Sequence, residues 1–405
     1  MLNHIETGQD AGVAVSLRRR VLAVLSLTQT VSWGVLYYAF PVLAPSISHD
    51  TGWSTPSITA AFSLALVTSA GVGLLVGRGL DRRGPRTVMT AGSLLGVAAV
   101  VAIALAPTYP LFLVAWLLAG AAMAATLYPP AFAALTRWWH PHHVRALTAL
   151  TLVAGFASTV FAPITAQLDA DYGWRRTYLI LAVVLVVLTV PTHALGLRGP
   201  WPSTPDARPH VAEAQLDPDS TGAVAGRRRF ALLTVALTLG AFAGTAALIN
   251  LVPLLLERGT SSTMAAAILG IGGAGQAAGR LIYPRLSANT GPAIRTALVL
   301  TAIGATIAAF AVVPTTRTPA LVTVAVLAGA ARGLNTLIQA TAVTDRWGSS
   351  HYGRLTSRLS ACALLAAASA PWAGSALAAG AGGYAPVFLL LAALAAIAAA
   401  AALRT

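Results

Sequence analysis

Long apolar runs dominate the chain, each 18 residues or more, separated by short polar stretches where Arg, Gly and Pro collect. They fall at about 20–46, 56–77, 87–106, 110–136, 146–168 and 175–197. After a longer polar interval they resume at 230–256, 262–283, 292–313, 318–344, 354–379 and 384–403. A helix rises 1.5 Å per residue, so about 20 apolar residues cross a hydrocarbon core roughly 30 Å thick. Twelve such runs predict an all-α integral membrane fold of twelve transmembrane helices, called spans one to twelve below. The first run follows Arg18-Arg19-Arg20 and is too long for a cleavable signal, whose apolar region is about 7–15 residues. It is expected to be a first span.

Composition removes whole classes of function. Of 405 residues, 57% are apolar and 9% charged, against about 25% charged in a soluble domain. A water-soluble enzyme is excluded. The 26 basic residues are all Arg, and the calculated pI of 11.2 would fit a nucleic-acid binder. These Arg residues, however, stand in twos and threes between apolar runs and line no single basic face, so no nucleic-acid partner is expected.

Their placement orients the chain instead. With a cytoplasmic N-terminus, 20 of them lie in cytoplasmic segments and only Arg175, Arg176, Arg258 and Arg317 in outside loops, with Arg280 and Arg332 inside spans. The positive-inside rule therefore predicts a multi-pass protein of the cell inner (cytoplasmic) membrane, both termini cytoplasmic. The stretch 198–229 carries five Pro residues and the Arg227-Arg228-Arg229 run, the composition of a flexible connector. The expected organisation is a cytoplasmic tail (1–19), a six-helix bundle (20–197), a cytoplasmic linker (198–229) and a second six-helix bundle (230–403). Such a 6+6 plan is the parallel repeat of many transporters.

After span two the chain reads Gly77-Arg78-Gly79-Leu80-Asp81-Arg82-Arg83-Gly84-Pro85-Arg86. This resembles the signature loop of the major facilitator superfamily, with Pro85 standing where a first basic residue is usual. The matching stretch of the second half, Leu286 to Gly291, keeps Leu and Gly but lacks the acid. Within the superfamily the first half is most similar to the bacterial monocarboxylate-porter and oxalate/formate-exchanger branch. The carrying residues are Tyr38-Ala39-Phe40-Pro41, Gly52-Trp53-Ser54, Arg137-Trp138-Trp139 and Gly173-Trp174-Arg175-Arg176; the second half matches through Gly279-Arg280 and Tyr352-Gly353. The resemblance implies the major facilitator fold of two pseudo-symmetric six-helix bundles. It also implies a mechanical role for the loop carrying Gly77, Asp81, Arg82, Gly84 and Arg86, with Asp81 gating against the start of span eleven. In the resembled branch the span-eight Arg binds substrate carboxylate, which carries over onto Arg280. The branch's proton relay does not carry over, because its Lys and Asp positions are here Val42 and Gln276.

An ionisable group in hydrocarbon costs about 2.5–3.5 kcal/mol on insertion scales, so Arg280 and Arg332 need partners or a purpose. Guanidinium stays charged and offers a planar fork matched to carboxylate. Each is read either as an anion contact or as a clamp on neighbouring backbone. Gln29, Trp33 and Tyr37 share one face of span one at i, i+4 spacing. Arg332, Asn335 and Gln339 share one face of span ten, and Gln276 and Asn250 add neutral groups in spans eight and seven. These too are either substrate contacts or interhelical packing and hydrogen bonds. All twelve acids and all eight His are expected in tails, loops or span ends, and Cys362 is expected to be a buried thiol.

No catalytic residue, cofactor or metal site is expected, and the chain is not read as an enzyme. The expected function is secondary active or facilitative transport of a small organic anion, a monocarboxylate or similar oxyanion, by alternating access. The expected partners are that anionic small molecule and membrane lipid, with the protein acting as a monomer. The alternative is an efflux transporter for drugs or toxic metabolites. That reading is weakened by Phe161-Ala162-Pro163-Ile164-Thr165-Ala166 in span five, which lacks the glycines typical of drug antiporters.

Overall fold

The structure is a computed structural model that describes residues 2–140, 142–199, 201, 221–347 and 352–405. All regular elements among them are helical. Ten helical stretches are long and apolar enough to cross a membrane. Two of them, Thr55–Leu105 with 51 residues and Arg145–Gly196 with 52, are about twice the length of one crossing. Each breaks near its middle at a positive-φ glycine, Gly84 (φ 73°) and Gly173 (φ 77°). With ψ near 170°, both sit in a region essentially reserved for glycine. Two double passes and eight single ones make the twelve spans. Large apolar side chains such as Leu74, Leu105, Val183, Leu281 and Val312 stay exposed, as the lipid-facing surface of a membrane protein requires.

Several spans are broken where proline removes a backbone donor. Span four consists of Tyr109–Thr126 and Tyr128–Trp138, joined through an extended Leu127. Pro130 has no N–H for the Thr126 carbonyl four residues earlier, and the Gln29 amide donates to that oxygen instead, at 2.5 Å. Span seven divides at Asn250 into Thr221–Ile249 and Leu251–Glu257, where Pro253 leaves the Ile249 carbonyl without its helical partner. Span one contains a π-helical turn, Gly34–Tyr38, between Leu2–Trp33 and Ala39–Thr51. Two of the four Arg residues on the sparsely charged side close helix C-termini. Arg175 donates to the carbonyls of Ala104 and Ala106 after span three (2.8 and 3.0 Å), and Arg258 to that of Phe310 in span nine (2.6 Å).

The chain forms two compact units. The first gathers Met1–Phe40, Thr68–Ala157 and Leu168–Ala207; the second gathers Pro41–Val67, Ser158–Gln167 and Arg208–Thr405. In the first, Val21, Leu25, Met89, Leu135, Trp138 and Leu150 form one core cluster. In the same unit His193 is fully buried, its Nδ1 2.8 Å from Ser93 Oγ. It stands in the last turn of span six, a span end as expected, and is buried there. Span six stays helical to Gly196, which carries His193 into the bundle beneath span three.

The second unit includes the ends of spans one, two and five. Thr59 Oγ1 bonds Ser375 Oγ, the Trp372 N–H donates to Ser63 Oγ at 3.1 Å, and Thr159 Oγ1 donates to the Gly270 carbonyl at 2.7 Å. Cys362 is exposed, not buried. Leu359 and Ala363 carry the buried stripe of span eleven at i, i+4 spacing, and Cys362 lies off that stripe.

Candidate functional site

Spans eight (Ser262–Asn289) and ten (Thr318–Thr341) meet backbone to backbone. A methyl group on Gly275 would stand 2.2 Å from the Val326 carbonyl oxygen, and one on Gly279 2.1 Å from that of Ala330. From the other side, one on Gly329 would stand 2.0 Å from the Gly272 oxygen, and one on Gly333 2.1 Å from the Gln276 oxygen. Both helices therefore carry glycines four apart at the contact, the small-xxx-small device of membrane helices. This seam fixes what the flanking residues face. Gln276 follows Gly275, and Arg332 lies between Gly329 and Gly333, with its Nη2 3.2 Å from where a Gly272 methyl would be.

Beside the seam, within the second unit, opens a cavity of about 370 Å³. Gln276, Arg332, Asn335 and Gln339 line it together with the hydroxyls of Thr245, Thr336 and Ser360. Span eleven supplies a wall of Leu359, Ala363, Leu364 and Ala367. The cavity thus offers one fixed positive charge, three carboxamides and an apolar wall.

Arg280 and Asn250 are placed differently. Arg280 is 4% exposed and is not among the residues lining this cavity. It follows Gly279 on span eight and points to a different side of the helix from that glycine's contact with Ala330. Asn250 is 1% exposed, and its Nδ2 donates to the Ala246 carbonyl at 2.9 Å, one turn back at the break in span seven. A methyl on Gly374 would meet the same amide at 2.4 Å, so Asn250 is packed between helices.

The three span-one candidates belong to the first unit. Gln29 is fully buried and bonded to the broken backbone of span four, away from any open face. The π turn changes the register that 3.6 periodicity predicts. As a result both tyrosines reach Trp33, with ring centroids at 5.1 Å for Tyr37 and 6.3 Å for Tyr38. Tyr128 joins them at 4.9 Å from Trp33 and stacks on Phe132. Sequence reasoning missed Tyr128, whose one signal is its place beside two prolines.

The signature segment is helical through Arg83 and turns only at Gly84, so it is a helix end and not a loop. Gly77 has open space where its side chain would be, and Arg82 is exposed. Arg86 Nε donates to the Ala194 carbonyl at 2.8 Å. Asp81 forms an ion pair with Arg137 at the end of span four. Trp201 completes the cluster. The Arg137 guanidinium lies 4.5 Å over its ring, the Trp138 ring is 5.3 Å away, and a methyl on Gly84 would come within 3.3 Å of it.

The second half carries a corresponding pair with its charges exchanged. Arg295, at the start of span nine (Pro292–Val312), pairs with Asp345 just after span ten. Arg295 also donates to the Thr290 carbonyl at 3.1 Å, and Thr341 Oγ1 donates to Asp345 at 2.9 Å. Tyr283 lies under the guanidinium and bonds Thr341 at 2.7 Å. The acid missing from the 286–291 stretch is therefore found on the other partner. Neighbouring Arg346 donates to the Pro292 carbonyl, Thr296 and Thr405 at 3.0–3.1 Å. Burial holds its pKa below the usual arginine value, and Asp345 opposes that shift.

Twelve apolar helices in two related sets, with a polar cavity among them, define a membrane transporter. The chain belongs to the Major Facilitator Superfamily, whose model matches residues 25–319, and it is not an enzyme. Human Monocarboxylate transporter 11 is 30% identical over 249 residues, covering 60% of this chain and 50% of that protein. Riboflavin transporter RibJ of Trypanosoma brucei brucei is 24% identical over 185 residues, covering 45% and 34%. The chain thus spans about half, or less, of the length of these curated relatives. Among solved structures, a bacterial homologue of the human lysosomal transporter Spinster, inward-facing and unoccupied, superposes with a TM-score of 0.68 at 17% identity, over 96% of both chains. A variant of the nucleoside transporter NupG gives 0.70 at 15% identity, over 95% of this chain and 98% of that one. These two likenesses concern the fold.

Proposed function

We propose that this protein moves a small organic anion, a monocarboxylate or similar oxyanion, across the cytoplasmic membrane by alternating access. Arg332 is the group that holds the anion. One observation carries the reading: the lining of the 370 Å³ cavity contains a single cation, Arg332, with Gln276, Asn335 and Gln339 around it and no acid among the described residues. One guanidinium in a low-dielectric setting attracts one negative charge, and its fork suits the two oxygens of a carboxylate. The carboxamides donate to remaining oxygens, and the span-eleven wall accepts an apolar body. The human relative's name, a monocarboxylate transporter, points the same way. On this reading Arg280 adds positive potential from inside span eight without touching the ligand. The two bundles, 20–197 and 230–403, work as one monomer around the linker 198–229, with both termini cytoplasmic.

The test is binding of small carboxylates to purified protein, read as a rise in melting temperature. A charged hydrogen bond is worth about 1.5–3 kcal/mol, so Arg332→Ala should weaken carboxylate binding roughly tenfold to a hundredfold. Arg332→Lys should recover part of that loss. Binding unchanged in Arg332→Ala, or stabilisation by cationic amphiphiles alone, would return the protein to the efflux reading.

Asp81 keeps the gating part expected of it against the start of span eleven, and its pair with Arg137, inside the first unit, is the contact it leaves to take that part. Asp81 is 65% exposed, and exposed pairs are worth about 0.2–1 kcal/mol, weak enough to break and re-form in each cycle. Asp81→Asn is therefore expected to change turnover severalfold in a proteoliposome flux assay while ligand affinity and melting temperature barely move. A pure loss of affinity would contradict the gating role.

A further inference from the structure

A second, smaller space lies against Arg332. Its volume is about 40 Å³, and its walls come from spans seven to ten, with Leu251, Ile268, Leu269, Ile307 and Phe310 all buried. Thr306 supplies the one hydroxyl in the lining, and that hydroxyl already donates to the Ala302 and Ile303 carbonyls at 2.9 Å. Ordered water needs two to four polar partners, and away from Arg332 and Thr306 the side chains of the lining offer none, so the deeper part of this space is a poor home for it. Left empty, it would deprive its lining of dispersion contacts in an otherwise dense core. It shares Gly244, Leu248, Ile303 and Arg332 with the larger cavity, so the two spaces adjoin at the guanidinium.

We infer that this apolar space is a tail subsite: the protein takes short aliphatic monocarboxylates whose carboxylate meets Arg332 while the alkyl chain enters between spans seven, eight, nine and ten. This rests on the reading of Arg332 as the anion group and adds the shape of the rest of the ligand. The space is small beside the larger cavity, so it admits only a short alkyl chain, on the order of three carbons. Three carbons beyond the carboxylate correspond to a four-carbon acid. Hydroxylated acids of the same length would place a polar group against Leu269, Ile307 or Phe310 and forfeit its hydration. A second carboxylate would enter a pocket with no second cation in its lining among the described residues.

The experiment is a series of straight-chain carboxylates from acetate to hexanoate, bound to the purified full chain and followed by melting temperature. Each buried methylene should tighten binding about fourfold through butanoate, with no further gain beyond it. Ala328→Leu fills the subsite and should remove the gain from the second and third methylene. Phe310→Leu enlarges it and should move the optimum to pentanoate, which keeps the test open if the filled variant fails to fold. Carboxylate binding that depends on Arg332 but is flat with chain length overturns the tail subsite alone. A gain that continues through hexanoate and survives Ala328→Leu does the same. Absence of binding by every carboxylate overturns the subsite and the anion reading together.

Discussion

Gly279→Leu and Gly333→Leu proteins are expected to yield almost no monodisperse material after extraction, whereas Gly71→Ala is expected to behave as the parent. A side chain at Gly279 or Gly333 would begin 2.1 Å from a carbonyl oxygen of the facing helix. Real atoms do not approach so closely, and the obstacle is backbone, which cannot rotate away. Spans eight and ten would have to separate along their whole contact, losing the packing that holds helices together where lipid tails are as apolar as the side chains. Even Gly333→Ala should cost about 3 kcal/mol, the upper end for forcing extra volume into a packed core. Gly71 has nothing within 4 Å of its missing side chain. An alanine there should stabilise the helix by about 0.5–1 kcal/mol. Melting temperatures of the three alanine variants, at Gly71, Gly279 and Gly333, give the comparison.

Removal of the Asp345 carboxylate should have the next largest effect. Arg295 keeps only 5% of its side-chain surface exposed and faces Asp345 at 27%. Breaking a buried pair by deleting one partner leaves an uncompensated charge and costs about 3–5 kcal/mol. Solvent reaches the Asp345 side, and Arg295 retains its bonds to the Ser287 and Thr290 carbonyls. Asp345→Ala is therefore expected at the low end, about 3 kcal/mol. The double variant Arg295→Met with Asp345→Leu should recover much of that loss, because two well-packed apolar groups replace a pair whose attraction is offset by its own desolvation. If the double variant melts as low as Asp345→Ala, the pair is not the cause of the loss.

The spans were legible because length and hydropathy alone decide what can cross a bilayer. The turns at Gly84 and Gly173 were legible too, as glycines inside recognisable motifs. Side-chain placement was legible only where periodicity held. Arg332, Asn335 and Gln339 share a face because span ten is regular. Tyr38 was harder to place, because the π turn at Gly34–Tyr38 leaves no mark in a 3.6-residue pattern. Gln29 has the polarity of a cavity group, but Pro130 removes the backbone donor that its amide replaces. The glycines of spans eight and ten were visible as small residues. Nothing in a single sequence says that they face each other, or that Arg295 meets an acid 50 positions away. Arg280 shows the limit from the other side: its motif was clear, yet the residue is buried and is not among those lining the 370 Å³ cavity, a placement that no motif reveals.

Cys362 gives the protein a ready-made attachment point for spectroscopy. It is the one cysteine in 405 residues, it is exposed, and it sits next to Ala363 in the cavity wall of span eleven. Thiol-directed chemistry therefore marks a single atom without prior removal of others. A fluorophore or spin label on that sulfur reports the surroundings of one transmembrane helix, in the unaltered sequence, as ligands are added.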